Sequence, residues 1–503
     1  VKAIKYLTAL LAGVSIHFSF APYSVWLAGL IGLLLFCAVI SSSQSPKRAF
    51  ALAFVFATGL FGAGVSWVYV SIHTYGEVPM VLAFIFTAGF VLFLALLFAL
   101  PWLLYPLIGN TRSLRLFCFP LFWLFSEWLR SWLLTGFPWL HLGYAHIDSP
   151  LGGWLPVFGV LGTGFLLAMA TTAILYALTW HSTRVIGLTG VVLLAIFIPG
   201  IMLSSVEWTE DMAAPVPVTM VQPDIPLRDK WNPLVADEIL LRLEELSEDA
   251  WQPGLLIWPE AAIPFVGDAA DPYVEFLDSL SSQSGTAMIT GLLTYDEERD
   301  TYLNSITGLG HASNIYHKQR LVPFGEYVPL ENWLRGTMHF FNLPMSVIRP
   351  GLREQTPLAF DYQGQDYLMA PAICYEIAYD SLVRELAADS NMLVTLSNDA
   401  WFGTSIGPRQ HMQIAQARAR ENQKPLLRVT NNGITALVDH QGIIVDRLPQ
   451  FQGAALKSTV APRTGQTPYS RHGNLFALSL AALLSLYAIY RHMRNRRFQT
   501  HVI

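Results

Sequence analysis

The chain has 503 residues, of which 53% are hydrophobic, with a mean hydropathy of +0.41 and a formal net charge of −5. That length allows more than one domain, and the negative balance argues against a nucleic-acid-binding role. The three cysteines, Cys37, Cys118 and Cys374, are too few for a disulfide framework.

Charge is spread unevenly. The first 204 residues carry only Lys2, Lys5, Lys47, Arg48, Glu77, Arg112, Arg115, Glu127, Arg130, Asp148 and Arg184. A helix needs about 20 apolar residues to cross a bilayer. Seven candidate spans lie near 5–20, 24–42, 49–72, 79–108, 113–133, 153–180 and 185–204, and an eighth near 474–490. The first, basic and then apolar, lacks a small-residue cleavage site and reads as an uncleaved span. Pro101 and Pro106 are expected to kink or end the fourth. Glu127 and Arg130, near the end of the fifth, fit either a helix-end pair or anchor, or the lining of a substrate opening. GVLGTG (159–164) has no preceding strand and no GK[ST], so it points to close helix packing rather than a nucleotide loop.

The basic residues give an orientation. Lys2, Lys5, Lys47, Arg48, Arg112, Arg115, Arg184, Arg491, Arg494, Arg496 and Arg497 fall on one side, and the opposite loops hold only Arg130. Eight spans with both termini in the cytoplasm satisfy this pattern. The expected division is a helical membrane part at 1–204, an extracytoplasmic part at 205–470, and a last span with a basic tail at 471–503.

Strands and helices alternate in the middle part. Strands are predicted at 216–222, 254–260, 286–293, 367–373, 391–399, 426–432 and 435–445, and helices at 233–250, 272–283, 378–389 and 408–423. This is an α/β layered pattern. Several strands end in a polar residue: Glu260, Cys374 and Asn398–Asp399. In α/β sheets, sites are built at strand C-termini.

Cys374 in PAICYEIAYD fits either a buried structural cysteine or a thiolate stabilised by backbone N–H groups and nearby cations. Glu260 in IWPEAAIP has apolar neighbours, a setting that suits a general base as well as a turn cap. YHKQRLVPFGEYVP brings Lys318 and Glu326 into one Pro/Gly-marked loop, where a lysine held by a carboxylate can bind an oxyanion; a solvated basic stretch is the alternative. The 13 histidines are scattered, with no HExxH or paired CxxC spacing, and no metal or other cofactor is expected.

WPE, K-x-x-L-V-P-F-G-E, C-Y-E and LSNDAWFG (396–403), in that order, resemble the nitrilase (carbon–nitrogen hydrolase) superfamily. Seven spans before this set and one after it narrow the resemblance to the apolipoprotein N-acyltransferase family. SEWLRSWLLTGFPWLHLGYA (126–145) and PLLRVTNNGITA (425–436) strengthen it. The resemblance implies a nitrilase-like αββα sandwich joined to about eight transmembrane helices. It implies Cys374 as nucleophile, Glu260 as general base and Lys318 as oxyanion stabiliser, with Glu326 and Glu376 as supporting carboxylates. Tyr375 would shape the oxyanion site, Trp231 in DKWNP would contact lipid or gate access, and Asn304 and Arg335 would touch substrate. Aromatics between Trp333 and Pro344 would dip into the membrane or pack in a core.

The implied reaction moves an acyl chain from a phospholipid, phosphatidylethanolamine by resemblance, onto the α-amine of a diacylglyceryl-cysteine apolipoprotein. It runs through a Cys374 thioester with ping-pong kinetics, at the inner membrane of a bacterium. Two other readings compete. A membrane-tethered amidase of the same superfamily would keep the triad and use water as acceptor. A transporter with an ectodomain is poorly served by spans whose only charged residues within or near the bilayer are Glu127 and Arg130.

Overall fold

The computed structural model describes residues 2–212, 215–323, 325–327 and 348–500, with side chains described through residue 495. Two compact units emerge: Val1–Glu207 with Arg471–Ile503, and Trp208–Ser470.

The first unit is helical. Among the described residues, five helices are long and apolar enough to cross a membrane: Pro46–Gly64, Met80–Ile108, Gly152–Trp180, Thr183–Leu203 and Leu475–Asn495. The other three expected spans also form helices but differ in kind. Lys2–His17 has 16 residues, Trp26–Ile40 is apolar with 15, and Arg112–Trp132 carries Arg115, Glu127 and Arg130. Pro101 and Pro106 act as expected: the regular helix ends at Ala99 and gives way to a tighter turn at Leu100–Leu103 and a short helix at Tyr105–Ile108. In GVLGTG, Gly159 takes φ 65° and interrupts the helix, while a Cβ at Gly162 would lie 3.1 Å from the Ala477 Cβ. Small residues there let two helices approach closely.

Buried charges in this unit bind main chain. Arg115 donates to Ser41 O (2.7 Å) and Gly109 O (3.0 Å). Glu127 Oε1 accepts from Leu142 N (2.7 Å), and Arg130 Nη1 donates to Phe137 O (2.7 Å) and to Trp139 O. Glu127 and Arg130 thus hold the irregular stretch after their helix, where backbone groups lack helical partners.

The second unit holds fifteen strands among the described residues: β1 (Thr209–Asp211), β2 (Val216–Gln222), β3 (Gly254–Ile257), β4 (Thr286–Asp296), β5 (Thr301–Gly310), β6 (Ala312–Ser313), β7 (Ile315–His317), β8 (Leu358–Tyr362), β9 (Gln365–Ile373), β10 (Met392–Ser397), β11 (Leu426–Thr430), β12 (Ala436–Val438), β13 (Ile444–Arg447), β14 (Ala454–Val460) and β15 (Arg463–Gly465). Two sheets form, in the orders β14-β2-β3-β4-β5-β7 and β13-β12-β11-β10-β9-β8-β6, with β1 and β15 as a separate ribbon. β2, β3 and β4 run parallel, as do β9, β10 and β11. Strands covered on both faces read as continuous apolar runs, and GLLI, MLVTLS and LLRVT are buried throughout. Helices Ala236–Ser247 and Asp271–Ser284 pack Ile239, Leu243 and Leu277 onto Leu256 and Met288 of the first sheet and onto Trp258 just past β3. Asp380–Ala387 and Gly407–Asn422 lie against β9 and β11, and Gln222 of β2 meets Thr430 and Thr435 between the sheets. The result is the expected helix–sheet–sheet–helix sandwich.

Two predicted strands change. The run at 254–260 pairs only to Ile257, because Trp258–Ala262 turns away at Ala261 (φ 47°). The run at 435–445 splits at a tight turn, where Asp439 Oδ1 accepts from Gln441 N and Ile443 N and Gly442 takes φ 81°.

Candidate functional site

The parallel strands of the two sheets place Glu260 just past β3, Cys374 just past β9 and Asn398–Asp399 just past β10. Glu260 is buried. Its Oε1 accepts from Asn304 Nδ2 (2.8 Å), its Oε2 accepts from Asn398 N (2.7 Å), and Lys318 Nζ lies 3.6 Å from Oε1. Its sequence neighbours are apolar, but its spatial neighbours are amides and a cation.

Lys318 is 1% exposed and follows β7. Its main chain is pinned on both sides, N to Asn304 O and O to Gly351 N, each at 2.8 Å. Its Nζ donates to Glu326 Oε1 (2.8 Å), whose Oε2 accepts from Val322 N (2.8 Å). Burial works to lower the Lys318 pKa, but the carboxylates of Glu326 and Glu260 outweigh it and hold the group above the ordinary lysine range. The lysine therefore stays charged at any working pH.

Cys374 takes φ 53°, a left-handed conformation rare for a side-chain-bearing residue. Burial foremost, then the negative charge of Glu260, pushes its thiol pKa up; Lys318 opposes them, and Asp399 and Glu326 add to the rise. Of the two forms open to Cys374, this environment favours the thiol over a stabilised thiolate, in keeping with a nucleophile that gives its proton to a base. The left-handed turn is gripped by its carbonyl, which accepts from His411 Nε2 (3.1 Å). His411 Nδ1 lies 3.0 Å from both Asp399 Oδ1 and Arg428 Nη2, and Arg428 donates to Asp399 Oδ2 (2.7 Å). Burial and then Arg428 depress the His411 pKa, with Asp399 acting in the opposite direction.

The remaining expected residues divide. Glu326 belongs to the central cluster. Asn304 Nδ2 spans both carboxylates, reaching Glu326 Oε1 at 3.3 Å, so its amide serves the ion cluster. Glu376 stands one step back. Its Oε1 accepts from Gln319 N (2.6 Å), Arg320 N (3.0 Å) and Tyr316 Oη (3.1 Å), and its Oε2 from Ile373 N (2.8 Å). It straps the loop after Lys318 to the turn before Cys374, and burial pushes its pKa up to about 7. Tyr375 packs edge-on against Tyr379, with ring centroids 5.3 Å apart. Trp231 packs beside Tyr302 and Tyr327 on an apolar cluster of Leu293, Leu321 and Ile348. Arg335 and the aromatics from Trp333 to Pro344 lie outside the described residues.

Sequence reasoning missed Lys230, His411 and Arg428. Lys230 is buried and donates to the Glu260 main-chain oxygen (2.8 Å). It stands directly before Trp231 in DKWNP, and that adjacency was the available signal. His411 and Arg428 had none, because a helix histidine and a strand arginine meet Asp399 only once the sheet is built.

Comparisons with known proteins show the family to which the chain belongs. Residues 218–469 match the carbon–nitrogen hydrolase model, which defines the class of the sandwich unit. Residues 12–173 match the apolipoprotein N-acyltransferase N-terminal domain. An apolipoprotein N-acyltransferase of Pseudomonas syringae pv. tomato is 38% identical over 95% of this chain and 95% of its own length. That of Pseudomonas putida is 40% identical over 92% of each, and that of Photobacterium profundum 37% identical over 98% of this chain and 96% of its own. The chain belongs to the apolipoprotein N-acyltransferase family.

Proposed function

We propose that the chain transfers an acyl group from a membrane phospholipid to the α-amine of a diacylglyceryl-cysteine at the N-terminus of an apolipoprotein, with Glu260, Lys318 and Cys374 as the catalytic triad. The observation that carries this reading is the buried Glu260–Lys318–Glu326 cluster, built at strand ends of the same sandwich that carries Cys374 in a left-handed turn at the end of β9.

Glu260 takes the Sγ proton as sulfur attacks the ester carbonyl, so no free thiolate has to exist beforehand. The carbonyl electron pair becomes an oxyanion, stabilised by the Lys318 ammonium, whose own charge is secured by Glu326. Collapse breaks the ester C–O bond, and the departing lysophospholipid oxygen takes the proton back from Glu260. A thioester remains. The acceptor amine attacks it and gives a proton to Glu260; the C–S bond breaks and that proton returns to sulfur. Two substrates use one site in turn.

Phosphatidylethanolamine is the proposed donor. The helical unit keeps both lipid-anchored substrates in the bilayer, since withdrawing a chain costs about 0.8 kcal/mol per methylene. The distribution of Lys and Arg supports an inner-membrane orientation with both termini in the cytoplasm and the sandwich unit on the periplasmic side. An engineered cysteine on an exposed site of that unit, with Cys37 and Cys118 replaced, should react with an impermeant thiol reagent in intact spheroplasts; protection would reverse the orientation.

The activity test uses purified protein, phosphatidylethanolamine in mixed micelles and a diacylglyceryl-cysteine peptide. The expected result is an N-acylated peptide and an equimolar lysophospholipid. Turnover of small amides without any lipid transfer would instead favour a tethered amidase.

A further inference from the structure

The turn that carries Glu260 has a polar contact the reaction leaves unused. Trp258 N donates to Ile289 O (2.9 Å) and Ala262 N to Gly291 O (2.8 Å), so both ends of Pro259–Ala261 are tied to β4. Between these ties the chain bulges, with Ala261 at φ 47°. The bulge sits flush on a glycine: a Cβ at position 291 would lie 2.6 Å from Ala261 N and 2.7 Å from Pro259 O. A buried main-chain carbonyl needs a donor. Among the described residues, the donor to Glu260 O is Lys230 Nζ, at 2.8 Å.

Lys230 is an unusual choice for that task. A neutral amide or hydroxyl would satisfy a carbonyl without burying a charge. The residue is 7% exposed, and burial lowers its pKa to about 8, with Glu260 and Cys374 acting in the opposite direction. The ammonium therefore lies within electrostatic reach of both reacting groups. The cavity beside it, bounded by Pro223, Ile225, Ile239 and Asn431, measures about 10 Å3, room for roughly one water. The hydrogen bond that the ammonium makes is to the chain, at Glu260 O.

We propose that Lys230 is a positioning residue for Glu260: by donating to the Glu260 main-chain oxygen it holds the left-handed turn that sets the carboxylate against the Cys374 thiol. The inference rests on the reading of Glu260 as general base. It separates the roles of the two buried lysines, with Lys318 serving the oxyanion and Lys230 the base.

The test compares wild type, Lys230→Met, Lys230→Arg and Glu260→Gln as full-length protein in phospholipid micelles. It reads the single-turnover rate of acyl-enzyme formation, KM for phospholipid and for acceptor peptide, and Tm. Lys230→Met should slow acylation about 10- to 100-fold, the scale of a small misplacement of a reacting group. Both KM values should stay within about twofold, as expected when an interaction specific to the transition state is lost. Lys230→Arg, which restores a cationic donor, should recover most of the rate. A wild-type acylation rate in Lys230→Met overturns the proposal. So does a raised KM at unchanged acylation rate, or a loss that follows Tm without rescue by Arg. If Lys230→Met does not fold, Lys230→Gln carries the same comparison. An inactive Glu260→Gln beside a fully active Lys230→Met removes this inference alone, whereas a fully active Glu260→Gln removes the base itself.

Discussion

Buried charge does different work in the two units. In the helical unit, Arg115, Glu127 and Arg130 each bind main-chain groups of an irregular segment. In the sandwich, Glu260, Lys318 and Glu326 face one another, as do Asp399 and Arg428. A charge spent on backbone dipoles fixes the shape of a loop. Charges facing each other also fix which groups can accept or release a proton, because a change in one is felt by all. Burial does not distinguish the two uses, since all of these residues are buried.

The largest expected effects come from breaking the facing set. Cys374→Ala and Glu260→Gln should each lower N-acylation by at least about 10,000-fold, as removal of one member of a cooperating set does. Lys318→Met should cost about 100- to 1,000-fold, the scale of losing an oxyanion donor. Glu326→Gln should cost less, because Lys318 keeps Glu260 nearby. A wild-type acylation rate in both Glu260→Gln and Lys318→Met would mean that the cluster is a structural ion pair.

Breaking the second facing pair should act on stability. Asp399→Ala leaves the Arg428 guanidinium buried without its carboxylate and should cost about 3–5 kcal/mol, read as a fall in Tm. Next comes the scaffold. Glu127→Ala removes the acceptor of Leu142 N and should cost about 1–3 kcal/mol, with the acylation rate per folded molecule unchanged. A rate loss there at normal Tm would restore the reading of Glu127 as part of a substrate opening.

The mildest test needs little mutation. With Cys37 and Cys118 replaced by Ala, alkylation of Cys374 by iodoacetamide should be slow at pH 7 and keep rising with pH beyond 9. The sign follows from the raised thiol pKa: the protonated form persists through neutrality, and the reactive thiolate appears only above it. A plateau near pH 7 would mean a preformed thiolate.

Much of this was legible in the sequence. Glu260 and Cys374 each follow a strand of apolar residues, where period and punctuation are clear, whereas Lys318 was marked by the Pro- and Gly-containing loop it shares with Glu326. The chain between 294 and 317 was not assigned to strands, yet β5 there pairs with β4 along its length. Its Thr, Asn, Ser and Gly residues give no clean alternation, and its register is set by the hairpin partner. β14 was missed for a related reason: an edge strand with several exposed positions lacks an apolar signature. The polar environment of Glu260 could not be read locally, because the groups its carboxylate meets, Asn304, Asn398 N and Lys318, lie far away along the chain. His411 and Arg428 were invisible, since each meets its partners only across the folded sheet and nothing in local pattern encodes those contacts; Lys230 had only its place beside Trp231 as a signal.

The most direct test of the central claim is intact-protein mass spectrometry after incubation with phosphatidylethanolamine and no acceptor, for wild type and Cys374→Ala. The account predicts a hydroxylamine-labile mass increase of one acyl chain on wild type alone, discharged when the diacylglyceryl-cysteine peptide is added. An absent adduct, or one carried equally by Cys374→Ala, would contradict it.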